Sequence, residues 1–102
     1  MKIVAVSACI AGIAHTYMAK SALEKAAEAR GAEIRVETQG AMGIEDRLSQ
    51  DEIDEADIVV FAIDTSVTDR DRFEGKKVLE IGTEDVIRDA DSMIDQAFEL
   101  AK

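Results

Sequence analysis

The chain has 102 residues, 47% of them hydrophobic and 33% charged, which is enough for one globular domain with a buried core. Its net charge of −10 argues against nucleic acid or an anionic membrane surface as a direct partner. No apolar run is long enough to cross a bilayer, so we predict no direct membrane insertion. The single cysteine has no partner for an internal disulfide, which favours a reducing, cytoplasmic compartment.

The first predicted strand is the apolar run at 2–6, which is typical of a strand buried on both faces. The loop that follows it, Ser-Ala-Cys-Ile-Ala-Gly-Ile-Ala-His-Thr at 7–16, holds the only cysteine and the only histidine. Apolar residues then recur at helical spacing, and Gly31 is suited to a left-handed stop. Within this helix we expect Tyr17 and Met18 to pack on the sheet.

The segment at 32–38 alternates apolar and charged residues, a pattern typical of an edge strand. The residues at 39–43 are predicted to form a loop. A short second helix should begin after Ser49, because Ser49 and Glu52 have the spacing of a capping box.

The apolar run at 57–63 is the second strand predicted to be buried on both faces. A polar loop at 64–76 follows, and the segment at 77–81 is predicted to be a second edge strand. The last helix has the clearest pattern, a regular apolar stripe over 86–101. Thr83 is its candidate N-cap.

This order, β-α-β-α-β-β-α, predicts a single domain over 1–102 in the α/β class. We expect a four-stranded, mainly parallel open sheet in the order 2-1-3-4, with helices on both faces, as in Rossmann-like folds. The topological switch point then lies between the first and third strands, where open α/β sheets bind ligands. The loops at 7–16 and 64–73 meet there, and we expect the domain to be monomeric.

The opening loop has the chemistry of an anion site. Cys9 is predicted at the end of a central strand, and the N–H groups after it lack helical partners. Such groups, with the helix dipole, bind a phosphate and stabilise a thiolate. Gly12 permits close approach of the backbone, and two side chains offer hydrogen bonds. The candidate phosphate-binding residues are Ile10, Ala11, Gly12, Ile13, Ala14, His15 and Thr16.

From the residues alone, two interpretations of this loop stay open. A lone cysteine beside an apolar run is often buried and inert, and a lone histidine is often a surface residue. The alternative is a reactive thiolate, because strand end, glycine, helix start and switch point coincide at Cys9.

The second loop supplies further candidates for supporting the site or contacting a partner. Asp64 directly follows the third strand, and Arg70 and Arg72 are positioned to meet an anionic group. Alternatively, these loop charges pair with one another at the surface. No ligand spacing indicates a metal site, and we predict no cofactor.

The run Cys-Ile-Ala-Gly-Ile-Ala-His-Thr-Tyr-Met-Ala at 9–19 resembles the fructose-type IIB component of the bacterial phosphoenolpyruvate-dependent sugar phosphotransferase system. The likeness continues at 36–45, 55–64 and 72–78, and so covers almost the whole chain. The opening motif together with Glu-Thr-Gln-Gly at 37–40 is specific. Gln39 within that segment is a further candidate for supporting the site.

The resemblance implies a phosphorelay. The cysteine of the family, which matches Cys9, accepts a phosphoryl group from a phosphohistidine on a IIA component. It then passes the group to a fructose-like sugar bound in the membrane-embedded IIC component. The domain would accordingly be cytoplasmic and peripheral to the membrane through IIC.

One departure from the family concerns the loop itself. The family usually reads Cys-Pro-Thr-Gly, whereas this chain has Ile10 and Ala11 after the cysteine. Losing proline removes a rigid turn, and losing threonine removes a hydroxyl donor, so we expect a looser loop and either slower transfer or a different substrate pathway.

Two other classes of function remain as alternatives. One is a cysteine-dependent phosphatase, against which the missing arginine of a Cys-x5-Arg loop counts. The other is a non-catalytic regulatory module with Cys9 buried. The Met1 start and the full last helix favour a free-standing subunit.

Overall fold

The computed structural model describes residues 1–9, 13–40 and 43–102, without the side chain of Ile13. Its strands are β1 (Lys2–Ala8), β2 (Glu33–Gly40), β3 (Gly43–Glu45), β4 (Ile58–Ile63) and β5 (Val78–Ile81). Its helices are α1 (Ile13–Ala29), α2 (Gln50–Glu55) and α3 (Thr83–Ala101), with a 3-10 turn at Arg70–Phe73.

The strands form one open sheet in the order β3-β2-β1-β4-β5. All neighbours are parallel except β2 and β3, which are antiparallel. The predicted order of the four longer strands is therefore confirmed. Three expectations are wrong: the sheet has five strands rather than four, β2 is not at the edge, and 39–43 is not simply a loop. Gln39 and Gly40 extend β2, and the three exposed residues of β3 cover it, with no apolar pattern to reveal them.

The two central strands are buried as predicted, and helices cover both faces of the sheet. Almost every residue of β1 and all of β4 are buried. On one face, α1 and α3 pack over side chains such as Ile3 and Val60. On the other, α2 and the 3-10 turn pack over Val6 and Phe61. The sheet thus has the doubly covered architecture that places ligand sites at the carboxyl ends of its strands.

The buried face of α1 differs from the predicted one. Ala19, Leu23 and Ala27 are fully buried, whereas Tyr17 is 37% and Met18 is 50% exposed. The expectation that these two residues pack on the sheet is wrong. Because alanines occur all around this helix, its sequence has no single apolar stripe, and packing against α3 selects the face with small side chains.

The two predicted helix starts have different outcomes. Ser49 caps α2 and forms the complete capping box with Glu52, as predicted. For α3, the N-cap is Gly82 rather than Thr83. Thr83 is instead the first helical residue, fully buried, and its hydroxyl donates to Asp64 at the end of β4. A tertiary contact therefore takes the hydroxyl that the sequence suggested for capping.

Candidate functional site

Cys9 directly follows β1 at the switch point of the sheet. The chain leaves β1 through α1 to reach β2 on one side, and β4 lies on the other side. The Cys9 N–H donates to the carbonyl of Gln39 at 3.3 Å, and the Asp64 N–H donates to the carbonyl of Ala8 at 2.9 Å. These bonds hold the cysteine between the ends of β2 and β4, where its residue surface is 7% exposed.

A cleft of about 310 Å³ opens beside Cys9. Its walls come from the ends of β1 and β2, the start of β3 and the loop after β4, and its lining includes Gln39, Gly40, Ile44, Thr65, Ser66 and Thr68. Hydroxyl and amide groups therefore face the cysteine across the cleft. Side chains of this kind can donate hydrogen bonds to a small anionic group.

The start of α1 lies four residues beyond the cysteine. Ala14 and His15 are exposed in its first turn, and Thr16 is buried. The Thr16 carbonyl accepts a 2.9 Å hydrogen bond from the Ser7 hydroxyl, which ties the first turn to β1. No acidic side chain occurs in this turn to offset the positive end of the helix dipole.

The other four predicted phosphate ligands lie wholly or partly outside the described part of the chain. Ile10, Ala11 and Gly12 lie outside the described residues, as does the side chain of Ile13. The phosphate-binding role of 10–16 stays a prediction.

On the β4 side of Cys9, Asp64 is held by the start of α3. Its carboxylate accepts the Thr83 hydroxyl and, at 3.2 Å, the Thr83 N–H. The Thr83 hydroxyl lowers the pKa of Asp64 most, partial burial opposes this, and the Cys9 thiol and the charge of His15 lower it further. The site therefore brings an ionised carboxylate within hydrogen-bonding reach of the thiol.

On the β2 side, Glu37 is the centre of a closed polar network. Its residue surface is 0% exposed, and Arg72 binds it with two bonds of 2.8 and 2.9 Å. The Leu48 N–H and the Gln39 amide add further hydrogen bonds. Burial favours the neutral acid, but the bonds from Arg72, Gln39 and Leu48 outweigh it and hold the pKa of Glu37 below its usual value.

Gln39 connects this network to the cleft. Its amide donates to Glu37 at 2.6 Å and to the Thr68 carbonyl at 3.2 Å, and it accepts from the Thr68 N–H at 2.8 Å. Since Thr68 lines the cleft, Gln39 fixes one wall of it.

The two candidate arginines pair within the chain. Arg72 binds Glu37 and stacks over Phe73, so its guanidinium acts as an internal brace. Arg70 pairs with Glu80 at 3.3 Å and lies over the Phe61 ring, on the α2 face of the sheet. Of the candidates at 64–73, only Asp64 reaches the cysteine.

Sequence reasoning missed three contributors: Glu37, Thr68 and Thr83. Glu37 lies in an alternating segment that predicts an exposed edge residue. Its burial is favourable because Arg72, from the loop after β4, binds its carboxylate. The sequence signal for Thr83 is a hydroxyl at a predicted helix start, and the fold brings that hydroxyl to Asp64.

Two further observations concern metal binding and membrane spans. The described part of the chain holds no cluster of three histidine, cysteine, aspartate or glutamate side chains that could bind a metal ion. Within residues 1–9, 13–40 and 43–102, no helix is long and apolar enough to cross a membrane.

Fold and site together define a class, an open parallel α/β domain that presents a thiol at its switch point. Residues 4–96 match the family described as "PTS system, Lactose/Cellobiose specific IIB subunit". The chain therefore belongs to the IIB family of the sugar phosphotransferase system, a family of phosphotransferase subunits that work with IIA and IIC components.

Its relatives carry fructose-related names. The Escherichia coli K12 "PTS system fructose-like EIIB component 2" is 43% identical over 93 residues, covering 91% of this chain and 88% of the relative. The Haloferax volcanii "PTS system fructose-specific EIIB component" is 49% identical over 102 residues, covering 100% of this chain and 64% of the relative.

Solved structures agree with the fold. The solution structure of an Enzyme IIB subunit from Escherichia coli K12 has a TM-score of 0.91 and 42% identity, covering 97% of this chain and 92% of that one. A domain of the fructose-specific IIABC component from Borrelia burgdorferi has a TM-score of 0.91 and 45% identity, covering 96% and 93%.

Proposed function

We propose that this domain carries a phosphoryl group on Cys9 between a IIA component and a fructose-like sugar held by a IIC component. The observation that carries the proposal is the position of Cys9, the only cysteine, at the switch point beside a polar cleft and the start of α1. Family membership and the names of the relatives support the reaction class and the sugar. In this proposal, the domain binds the IIC component at the cytoplasmic face of the membrane.

The two transfers balance without a cofactor. In the first, the Cys9 sulfur attacks phosphorus, the P–N bond of the phosphohistidine breaks, a P–S bond forms, and the thiol proton passes to the leaving imidazole. In the second, a sugar hydroxyl attacks phosphorus, the P–S bond breaks, and the hydroxyl proton returns to sulfur. Sulfur suits both steps, because it is a good nucleophile and also a good leaving group.

The protein contributes position and charge. Backbone N–H groups over 10–16 are proposed to hold the phosphoryl oxygens at the positive end of the α1 dipole. The hydroxyl groups of Thr65 and Ser66 line the opposite wall, where an incoming imidazole or sugar hydroxyl must approach. In this scheme His15 assists as a donor rather than as the carrier.

The decisive experiment labels the protein with phosphoenolpyruvate, the general relay proteins and a matching IIA component. Wild type is expected to be labelled, and Cys9→Ser is expected to lose the label while keeping its circular dichroism spectrum. His15→Gln is the matched control and should keep most of the label. Full labelling of Cys9→Ser would overturn the proposal, and the acid and alkali stability of the adduct separates phosphocysteine from phosphohistidine.

The sugar is tested separately. The family description mentions lactose and cellobiose, whereas the relatives carry fructose in their names. Labelled protein is mixed with membranes containing a fructose-type or a cellobiose-type IIC component and the corresponding sugar. We expect loss of protein label and formation of phosphosugar only with the fructose type. Release of inorganic phosphate without any IIC component would indicate a phosphatase instead.

A further inference from the structure

The carboxyl ends of β1 and β4 place Asp64 beside the thiol. Ala8 pairs with Ile63 in the parallel register, so Cys9 and Asp64 are the next residues on neighbouring strands. The Asp64 N–H to Ala8 carbonyl bond of 2.9 Å extends that ladder by one step. The two residues are therefore neighbours across the strand ends, and a hydrogen bond from the Cys9 thiol is one of the causes that lower the pKa of Asp64.

The start of α3 fixes this carboxylate in its charged form. Thr83 supplies its N–H to one carboxylate oxygen and its hydroxyl to the other. The hydroxyl bond lowers the pKa of Asp64, and a helix N-terminus favours a negative charge. The positive end of α3 is thus occupied by the Asp64 carboxylate.

We propose that Asp64 is a positioning residue that holds the Cys9 thiol in the resting state and, once the sulfur is phosphorylated, repels the phosphoryl group and favours its onward transfer. This inference rests on the proposed function of Cys9. A phosphoryl group on the sulfur brings about two negative charges near a carboxylate that Thr83 keeps ionised. Repulsion raises the free energy of the phosphorylated protein, so less of it accumulates and the group leaves more readily.

The test compares four variants for two measurements. The first is the equilibrium constant for phosphorylation by phospho-IIA, and the second is the rate of Cys9 alkylation by iodoacetamide at pH 7. Asp64→Asn removes the charge, Thr83→Val removes the hydroxyl bond and leaves the N–H bond, and Asp64→Glu keeps the charge. Glu84→Gln removes an equal charge from the next position of α3, at an exposed side chain.

We expect Asp64→Asn to raise the equilibrium constant about tenfold and the alkylation rate roughly fivefold, from the loss of one nearby negative charge. Thr83→Val should give smaller changes in the same direction, and Asp64→Glu should approach wild type. Glu84→Gln should match wild type in both measurements, because its charge is not held against the thiol.

The outcomes separate this inference from the proposed function. If wild type is not phosphorylated at all, the proposed function fails, while the alkylation rates still test the contact between Asp64 and Cys9. If wild type is phosphorylated but Asp64→Asn changes neither measurement, the role of Asp64 is wrong and that of Cys9 stands. Equal effects of Asp64→Asn and Glu84→Gln would also overturn it, since net charge alone would then explain the result.

Discussion

The two sides of Cys9 use the same functional group in opposite ways. On the β2 side, the Glu37 carboxylate is fully buried and receives hydrogen bonds from Arg72, Gln39 and Leu48. On the β4 side, the Asp64 carboxylate is exposed, accepts two hydrogen bonds from Thr83, and lies beside the thiol. One carboxylate braces the scaffold, and the other lies at the surface beside Cys9.

Burial and the number of donors explain this difference. A buried carboxylate without full compensation is very unfavourable, so Glu37 is surrounded by donors and has little capacity left for a substrate. Asp64 remains in contact with water and so tolerates an incomplete set of partners. The comparison predicts large effects on stability from one side and large effects on reactivity from the other.

The largest effect on stability is expected from Arg72→Met. This change leaves Glu37 buried without its cation, which costs about 3 kcal/mol of unfolding free energy. Urea denaturation measures it. The double variant Glu37→Leu with Arg72→Met should recover much of the loss, because both charges are then absent. A loss below about 0.5 kcal/mol in Arg72→Met would contradict the bracing role.

A smaller effect is expected from Gln39→Leu. The substitution removes the bonds to Glu37 and Thr68 and costs about 1–2 kcal/mol of stability. Gln96→Leu serves as the control, since Gln96 is exposed on α3 and donates to a methionine sulfur at 3.8 Å. Because Gln39 fixes a wall of the cleft, Gln39→Leu should also slow phosphorylation, whereas Gln96→Leu should not. If the two variants were equally stable, the bonds of Gln39 to Glu37 and Thr68 would not contribute to stability, which would contradict this prediction.

The smallest effect is expected in the dependence of the unfolding free energy on pH below neutrality. The pKa of Glu37 is lowered in the folded protein, so the unfolded chain binds more protons between the folded and unfolded values. The stabilisation from Glu37 is therefore complete above the unfolded value of about 4.3 and is lost as the pH falls through the folded one. Unfolding free energies from pH 7 down to pH 3 should decline more steeply for wild type than for the Glu37→Leu, Arg72→Met double variant. Parallel curves would show that Glu37 does not contribute.

Much of this architecture could be predicted because it depends on local patterns. The continuous apolar runs of β1 and β4 indicated central strands, and the Ser49 and Glu52 spacing indicated the start of α2. The features that escaped prediction depend on distant partners. β3 is three exposed residues stabilised by pairing with β2, and the buried face of α1 is selected by α3.

By itself, the sequence determined the order of the long strands, the switch point and the position of Cys9 beside it. These follow from hydrophobic periodicity, chain order and the handedness of parallel connections, all of which can be read along the chain. Only the tertiary structure decided which charged residues lie beside the cysteine and which pair elsewhere. Arg72 and Glu37 are 35 positions apart in the sequence and form a buried ion pair that braces the fold. Asp64 and Thr83 are 19 positions apart and form hydrogen bonds beside the thiol. Sequence spacing does not carry that information, because the energy of an electrostatic interaction depends on burial and on the distance between groups that the fold brings together.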